Sequence, residues 1–284
     1  MARLVFACAF ALALAAAAAY TPVKWTNLYV KWNLLSYLSH LTGHAYFQMP
    51  LSVADARREG WVQAASGNTT STWCLRDDPR VCVLYDLQGS VAGMQVSLPV
   101  ADLQFKGNPY DVTAHPLFIR DRLFNMDVFT SRYFLVDQET LAAGGRRRAP
   151  GDEVGTGLWL QSGDDFVEVS RNADDLPAAH WSRENCVLEM GRHYYYNVSE
   201  QLPCEMAEPF FLLVDNRKDA LHGVGFQIFG EASVKNRKWF ESVPAYAVKS
   251  TLPNSPQCLT DWVKQYGLIS LHMYFVDKPW FIIC

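Results

Sequence analysis

The sequence predicts an α+β fold, predominantly antiparallel β with a few short helices. Three observations predict it. Short apolar runs rich in Val, Phe, Tyr and Leu alternate with clusters of Gly, Pro, Asn and Asp, the signature of strands joined by turns. Segments that combine a capping residue, helical apolar spacing and a closing glycine are few. Half of the 284 residues are hydrophobic and 13% are aromatic, which places the chain among globular proteins able to bury a proper core.

In chain order, residues 1–19 (MARLVFACAFALALAAAAA) come first. Arg3 supplies a positive start, Leu4 to Leu14 an apolar stretch too short to span a bilayer, and the alanine run a small-x-small cleavage site after Ala19. This reads as a secretory signal peptide; no stop-transfer flank follows that would make it a retained anchor. Leu28 to His40 reads as a helix ending at Gly43. A better signalled helix begins at Ser52, a capping residue that Asp55 answers three positions on, and closes at Gly60. Nine strand-like runs are distributed along the chain: VCVLYDL, AGMQVSL, RYFLV, GLWL, FVEV, PFFLLV, GVGFQIF, AYAVKS and LHMYFV. Between the last two lies a helix with Ser255 as its cap, Pro256 in its first turn and Gly267 at its end. Its apolar face is Cys258, Leu259, Trp262, Val263 and Tyr266, spaced by three and four.

Two halves, 20–145 and 150–284, look alike. Leu84-Tyr85-Asp86, Gly93-Met94-Gln95-Val96 and Tyr133-Phe134-Leu135-Val136-Asp137 recur in order as Leu213-Val214-Asp215, Gly223-Val224-Gly225-Phe226 and Tyr274-Phe275-Val276-Asp277. A duplicated α+β unit explains the recurrence, the alternative being two similar hairpins that recur by chance. The boundary falls in the loop Gly144 to Gly151. Its run Arg146-Arg147-Arg148 reads as a solvated loop and a candidate processing site.

Beyond Cys8 in the leader, six cysteines remain: Cys74, Cys82, Cys186, Cys204, Cys258 and Cys284. An even count in a secreted chain predicts three disulfides, and neighbour with neighbour is the expected pairing. Cys74 and Cys82 flank a turn signal at Asp77-Asp78-Pro79, and Cys258 with Cys284 would tie down the C-terminus. No CxxC pair suggests zinc. Asn68-Thr69-Thr70 and Asn197-Val198-Ser199 are N-glycosylation sequons.

A formal net charge of −4 with no basic face argues against nucleic acid as the main partner. No GxSxG elbow, HExxH helix, phosphate-binding glycine loop or EF-hand is present. One recurrence stands out. His44-Ala45-Tyr46-Phe47, His193-Tyr194-Tyr195-Tyr196 and His272-Met273-Tyr274-Phe275 share a His-x-Tyr-aromatic form, and on strands each His and Tyr face one way. Convergence of His44, His193 and His272 would make a zinc or copper site. Core histidines with local partners are the alternative.

The acidic run Asp164, Asp165, Glu168, Asp174 and Asp175 is oxygen-rich but matches no calcium loop, and Glu205 and Glu208 form a smaller acidic pair. Nine tryptophans suit a flat ligand such as a sugar, with Trp181 and Trp239 in the most polar contexts. The expectation is therefore a secreted, disulfide-stabilised glycoprotein without a transmembrane anchor. It would bind an extracellular ligand, a glycan or a protein, through an aromatic surface. The alternative is a secreted enzyme, a His-ligated metal oxidase or hydrolase or a carboxylate-dependent one, whose site forms only in three dimensions. The sequence names no cofactor.

Overall fold

The computed structural model describes residues 23–31, 45–103, 110–231 and 237–284. The leader 1–19 and His44 lie outside the described residues, as does most of the helix expected from Leu28 to His40. Where that segment is described it is a strand, β1 (Tyr29–Lys31), paired on both edges. Its alternating Tyr-Val-Lys fits a pleated strand, and long-range pairing overrides the helical reading.

Two antiparallel sheets carry the fold. The first contains β3 (Val62–Ser66), β4 (Thr70–Leu75), β5 (Asp78–Asp86), β6 (Val91–Pro99), β8 (Met126–Phe134), β9 (Leu158–Ser162) and β10 (Asp165–Val169). They lie side by side as β10-β9-β8-β6-β5-β4-β3, with β7 (Ile119–Leu123) also paired to β8. The second contains β11 (Trp181–Val187), β12 (Gly191–Tyr196), β13 (Phe210–Asp215), β14 (Ala220–Phe229), β16 (Leu268–Tyr274), β1 and β2 (Tyr46–Gln48). Here the order is β11-β12-β13-β14-β16-β1-β2, with β15 (Glu241–Ser242) also paired to β16.

The same strand order runs through both sheets, with one difference: the last two strands of the second come from the N-terminal end of the chain. Local detail matches too. Both long hairpins carry a register shift at the same place, between Leu84 and Tyr85 and between Leu213 and Val214. Just beyond it, Leu135 N–H donates to Ala92 O at 2.7 Å, and Phe275 N–H to His222 O at 2.8 Å. Bridges Ser52–Ser90 and Asn172–Ala220 lead into the turn that precedes each first strand.

The sheets bury their inner faces against each other. Val83, Met94 and Tyr133 of the first meet Phe210, Leu212, Phe226 and Met273 of the second in one continuous core. At its centre the Tyr133 hydroxyl donates to the Met273 sulfur at 2.7 Å, while its ring lies edge-on to Phe210 at 6.3 Å.

Among the described residues, four short α-helices decorate this frame. In α1 (Val53–Arg58) the Ser52 hydroxyl accepts from Asp55 N–H at 3.1 Å and donates to the Asp55 carboxylate at 2.8 Å, the capping expected from the sequence. Asp137 caps α2 (Gln138–Ala142) by accepting from Thr140 N–H at 2.7 Å. The run AYAVKS is not a strand: it forms α3 (Ala245–Thr251), entered from Pro244. Six residues are too few for alternation to decide between periods, and no sheet edge is offered to them. The final helix, α4 (Gln257–Tyr266), starts at Pro256 rather than Ser255, whose side chain is buried without a hydrogen-bond partner.

All six cysteines are paired, as Cys74–Cys82, Cys186–Cys284 and Cys204–Cys258. Of the neighbour pairings only the first is present. The other two bridges join segments that tertiary folding brings together, α4 to the turn before β13 and the C-terminal residue to β11. Nor is Arg146 a solvated residue. Its guanidinium donates to Val154 O at 2.6 Å and Val91 O at 3.3 Å, and its N–H to the Asp86 carboxylate at 2.8 Å, clamping the 144–151 loop to the first sheet.

Candidate functional site

On the outer face of the second sheet, a cavity of about 210 Å³ lies beneath α3 and α4. Its floor is aromatic and polar, with His193 and Tyr195 from β12, Phe211 from β13, and Ser270 and His272 from β16. Strand alternation places these residues on one face. The roof is mainly apolar: Ala247 and Val248 from α3, Leu252 after it, and Leu259 and Val263 from α4, with Ser250 and Thr251 of α3 also in the lining. The Cys204–Cys258 bridge holds α4 in place. Gly225 shapes the floor. It pairs with Phe211 on one side and His272 on the other, and a Cβ there would run into the Phe211 ring. Without that Cβ the ring lies across position 225 and reaches both histidines, with centroids 5.3 Å from His193 and 5.1 Å from His272.

His193 and His272 thus come together, edge to face with ring centroids 5.8 Å apart. Among the described residues, no group of three or more His, Cys, Asp and Glu side chains is arranged to hold a metal ion. Of the recurrent tyrosines, Tyr195 stacks on His193 at 6.3 Å and Tyr46 lies 5.8 Å from Tyr274. No motif marks Glu241, which sits on the two-residue strand β15 with a carboxyl oxygen 3.7 Å from His272 Nδ1. Both its carboxyl oxygens lack a hydrogen-bond partner, as do Nδ1 of His193 and Nδ1 of His272.

The remaining candidates are placed apart. Trp181 and Trp239 are 6% and 2% exposed, so the core takes up both rings, although Trp239 borders a hollow with Phe47, Arg237 and Lys238. Asp164, Asp165, Glu168, Asp174 and Asp175 are exposed to solvent, with Asp175 accepting from the Ser170 hydroxyl at 2.7 Å. Glu205 is exposed, whereas Glu208 lines the cavity and pairs with His115 at 3.2 Å. Asn68 and Asn197 are both exposed, Asn197 in the turn that follows β12.

Burial sets the charge of this region. It pushes His193 and His222 down to about 4, and His272 well below the usual imidazole range with help from His193 and Lys31. Burial also pushes Glu241 up to about 8, against the opposing pull of Lys31, and Glu184 up to about 7. The histidines are therefore neutral at pH 7 and Glu241 is largely protonated.

The consequence for stability has two arms. Folded imidazoles bind protons less readily than unfolded ones, so stability is lost as pH falls from about 6.5 toward 4. The raised carboxyls act oppositely: stability present below their unfolded value is lost as pH rises through about 7 to 8. Chemical denaturation is expected to show maximal stability near pH 6. Glu241→Gln should remove about 2 kcal/mol of the loss between pH 6.5 and 8. A variant with the same alkaline slope as the parent would refute this assignment.

The fold and the site define the class: a predominantly antiparallel α+β protein, cross-linked by three disulfides, with a covered apolar cavity whose floor is polar. No helix among the described residues is long and apolar enough to cross a membrane. No family model, curated protein or solved structure matches the chain.

Proposed function

We propose that this chain is a secreted, N-glycosylated binding protein that carries a small, mainly apolar molecule in the cavity beneath α3 and α4. The observation that carries this reading is the cavity itself, walled by aliphatic side chains and roofed by a disulfide-anchored helix. Apolar cavities of about 150 Å³ accept a benzene-sized guest, so about 210 Å³ suits a ligand of roughly eight to ten non-hydrogen atoms. The aromatic contact expected from the sequence becomes an enclosed floor of His193, Tyr195 and Phe211 instead of an open platform. Three disulfides suit an oxidising compartment, and the exposed sequons at Asn68 and Asn197 are open to glycosylation. The matching strand orders also support a duplicated unit, its second copy completed by β1 and β2.

The test uses n-butylbenzene, which has ten non-hydrogen atoms and no polar group. Calorimetric titration should give saturable one-to-one binding and a rise in Tm that grows with ligand concentration. Ala247→Phe, which places a ring in the cavity from the roof, should abolish binding while the ligand-free Tm stays near the parent value. Undetectable binding to the parent, or equal binding to the filled variant, would overturn the carrier reading.

A further inference from the structure

The cavity does not need its polar floor to hold a hydrocarbon. Two of its side chains and one behind them are almost wholly removed from solvent, His193 at 2% exposure and His272 at 3% in the floor and Glu241 at 4% behind His272. None has a partner within hydrogen-bond distance at Nδ1 of either imidazole or at either carboxyl oxygen, His272 Nδ1 and the nearer Glu241 oxygen standing 3.7 Å apart. Buried polar groups are ordinarily satisfied, because leaving one without a partner forfeits the hydrogen bonds it had in water. Several such atoms on adjoining side chains, two of which line a cavity, point to a ligand that supplies the missing bonds.

Resting on the carrier reading, we infer that His193 and His272, with Glu241 behind His272, form a head-group subsite for an uncharged hydroxyl, so that the ligand is a small aliphatic or aryl-alkyl alcohol. The pairing rules favour this chemistry. A neutral imidazole offers one donor and one acceptor, and a hydroxyl offers the same pair in return. Rings 5.8 Å apart are close enough to share one oxygen.

The surrounding charges disfavour an ionic head. Lys31, the nearby cation, is held by Glu189 at 3.0 Å, so a ligand carboxylate would enter beside Glu241 and two neutral imidazoles. A ligand ammonium would meet the same two imidazoles close to the Lys31 charge, and Glu208, the acidic side chain in the lining, is already paired with His115 at 3.2 Å. Tyr46 and Tyr274 do not compensate either, since their hydroxyls donate to the Glu189 carbonyl. An unpaired ion brought into a buried site is strongly penalised, whereas a hydroxyl is not.

The experiment compares 1-octanol, octanoate and octylamine with n-butylbenzene at pH 7, using the full mature chain. In the parent protein, 1-octanol should bind at least about tenfold more tightly than either charged analogue. His193→Phe alters the floor for both ligands, so the readout is their ratio: 1-octanol should weaken about tenfold more than n-butylbenzene, which separates loss of head-group recognition from damage to the cavity. Should that variant fail to fold, Glu241→Gln and the parent ligand series stand in for it. Equal or tighter binding of octanoate or octylamine would overturn the inference. So would an equal loss of both neutral ligands in His193→Phe. If n-butylbenzene binds while the alcohol shows no preference, the subsite fails and the carrier reading survives. If nothing binds, the carrier reading itself has failed.

Discussion

Lys31→Met is expected to cost about 3–5 kcal/mol of folding stability, among the largest effects available to a single substitution in this protein. Lys31 is 1% exposed in the short strand β1, and its ammonium contacts the Glu189 carboxylate at 3.0 Å in the turn between β11 and β12. The same turn accepts the Tyr46 hydroxyl at 2.9 Å and the Tyr274 hydroxyl at 3.3 Å through the Glu189 carbonyl. β2, β16 and the β11–β12 turn thus converge where Lys31 sits. Methionine fills the same volume but removes this counter-charge from the buried carboxylate, and the lost charge pairing, not lost packing, is the source of the cost. Urea denaturation of the single variant and of Lys31→Met with Glu189→Gln tests the cause. The double variant should recover most of the loss, because two neutral side chains need no counter-charge. A loss below about 1 kcal/mol in the single variant would show that the pair is not isolated from water as its exposure indicates.

The second large effect is expected from the C-terminal disulfide. Cys186 and Cys284 are 98 positions apart, so in the chain-entropy account replacing both by serine costs roughly 4–5 kcal/mol. Removing Cys74–Cys82, which spans 8 positions, should cost about half as much. What the long bridge secures is visible in the packing. Trp280 meets Tyr29 and Tyr46 edge-on or tilted, each at 5.6 Å, and the Ile282 carbonyl accepts from Glu189 N–H at 3.0 Å. The terminal segment therefore covers the outer face of the second sheet beside the Lys31 cluster. Thermal unfolding of the two cysteine-free variants under identical conditions gives the comparison. Equal losses, or a larger loss for Cys74–Cys82, would count against the chain-entropy account. Increased hydrogen exchange confined to residues 279–284 and β1 would accompany the expected result.

Much of the local structure was legible in the residues. Ser52 with Asp55 specified a helix start, because a hydroxyl and a carboxylate three apart satisfy the free N–H groups of a first turn wherever that turn lies. The apolar runs of β5, β6, β13 and β14 announced strands through their content of branched and aromatic residues. Gly267, at φ +79°, marked the end of α4 because that backbone region suits a residue without a Cβ. Cys74 and Cys82 could be paired by inspection because a short turn brings them opposite each other on β4 and β5.

What the tertiary structure alone decided involves partners far apart in sequence. Spacing does not tell Cys186 to choose Cys284 over Cys204, nor AYAVKS to become a helical roof when its composition suits a strand equally well. It does not say that β1 will pair with β16, where Lys31 meets His272. The His-x-Tyr recurrence marked His193 and His272, which face one side of their strands because strand alternation is a local rule. Their junction, with Phe211 laid across Gly225 between them and Glu241 behind, required β12, β13, β14, β15 and β16 all to find their register. The sequence determined which segments could be strands and which faces were apolar, since those properties depend on neighbours two to four positions away. The cavity and its polar floor came from cooperative burial, in which each group's environment is set by residues that the chain brings close only on folding.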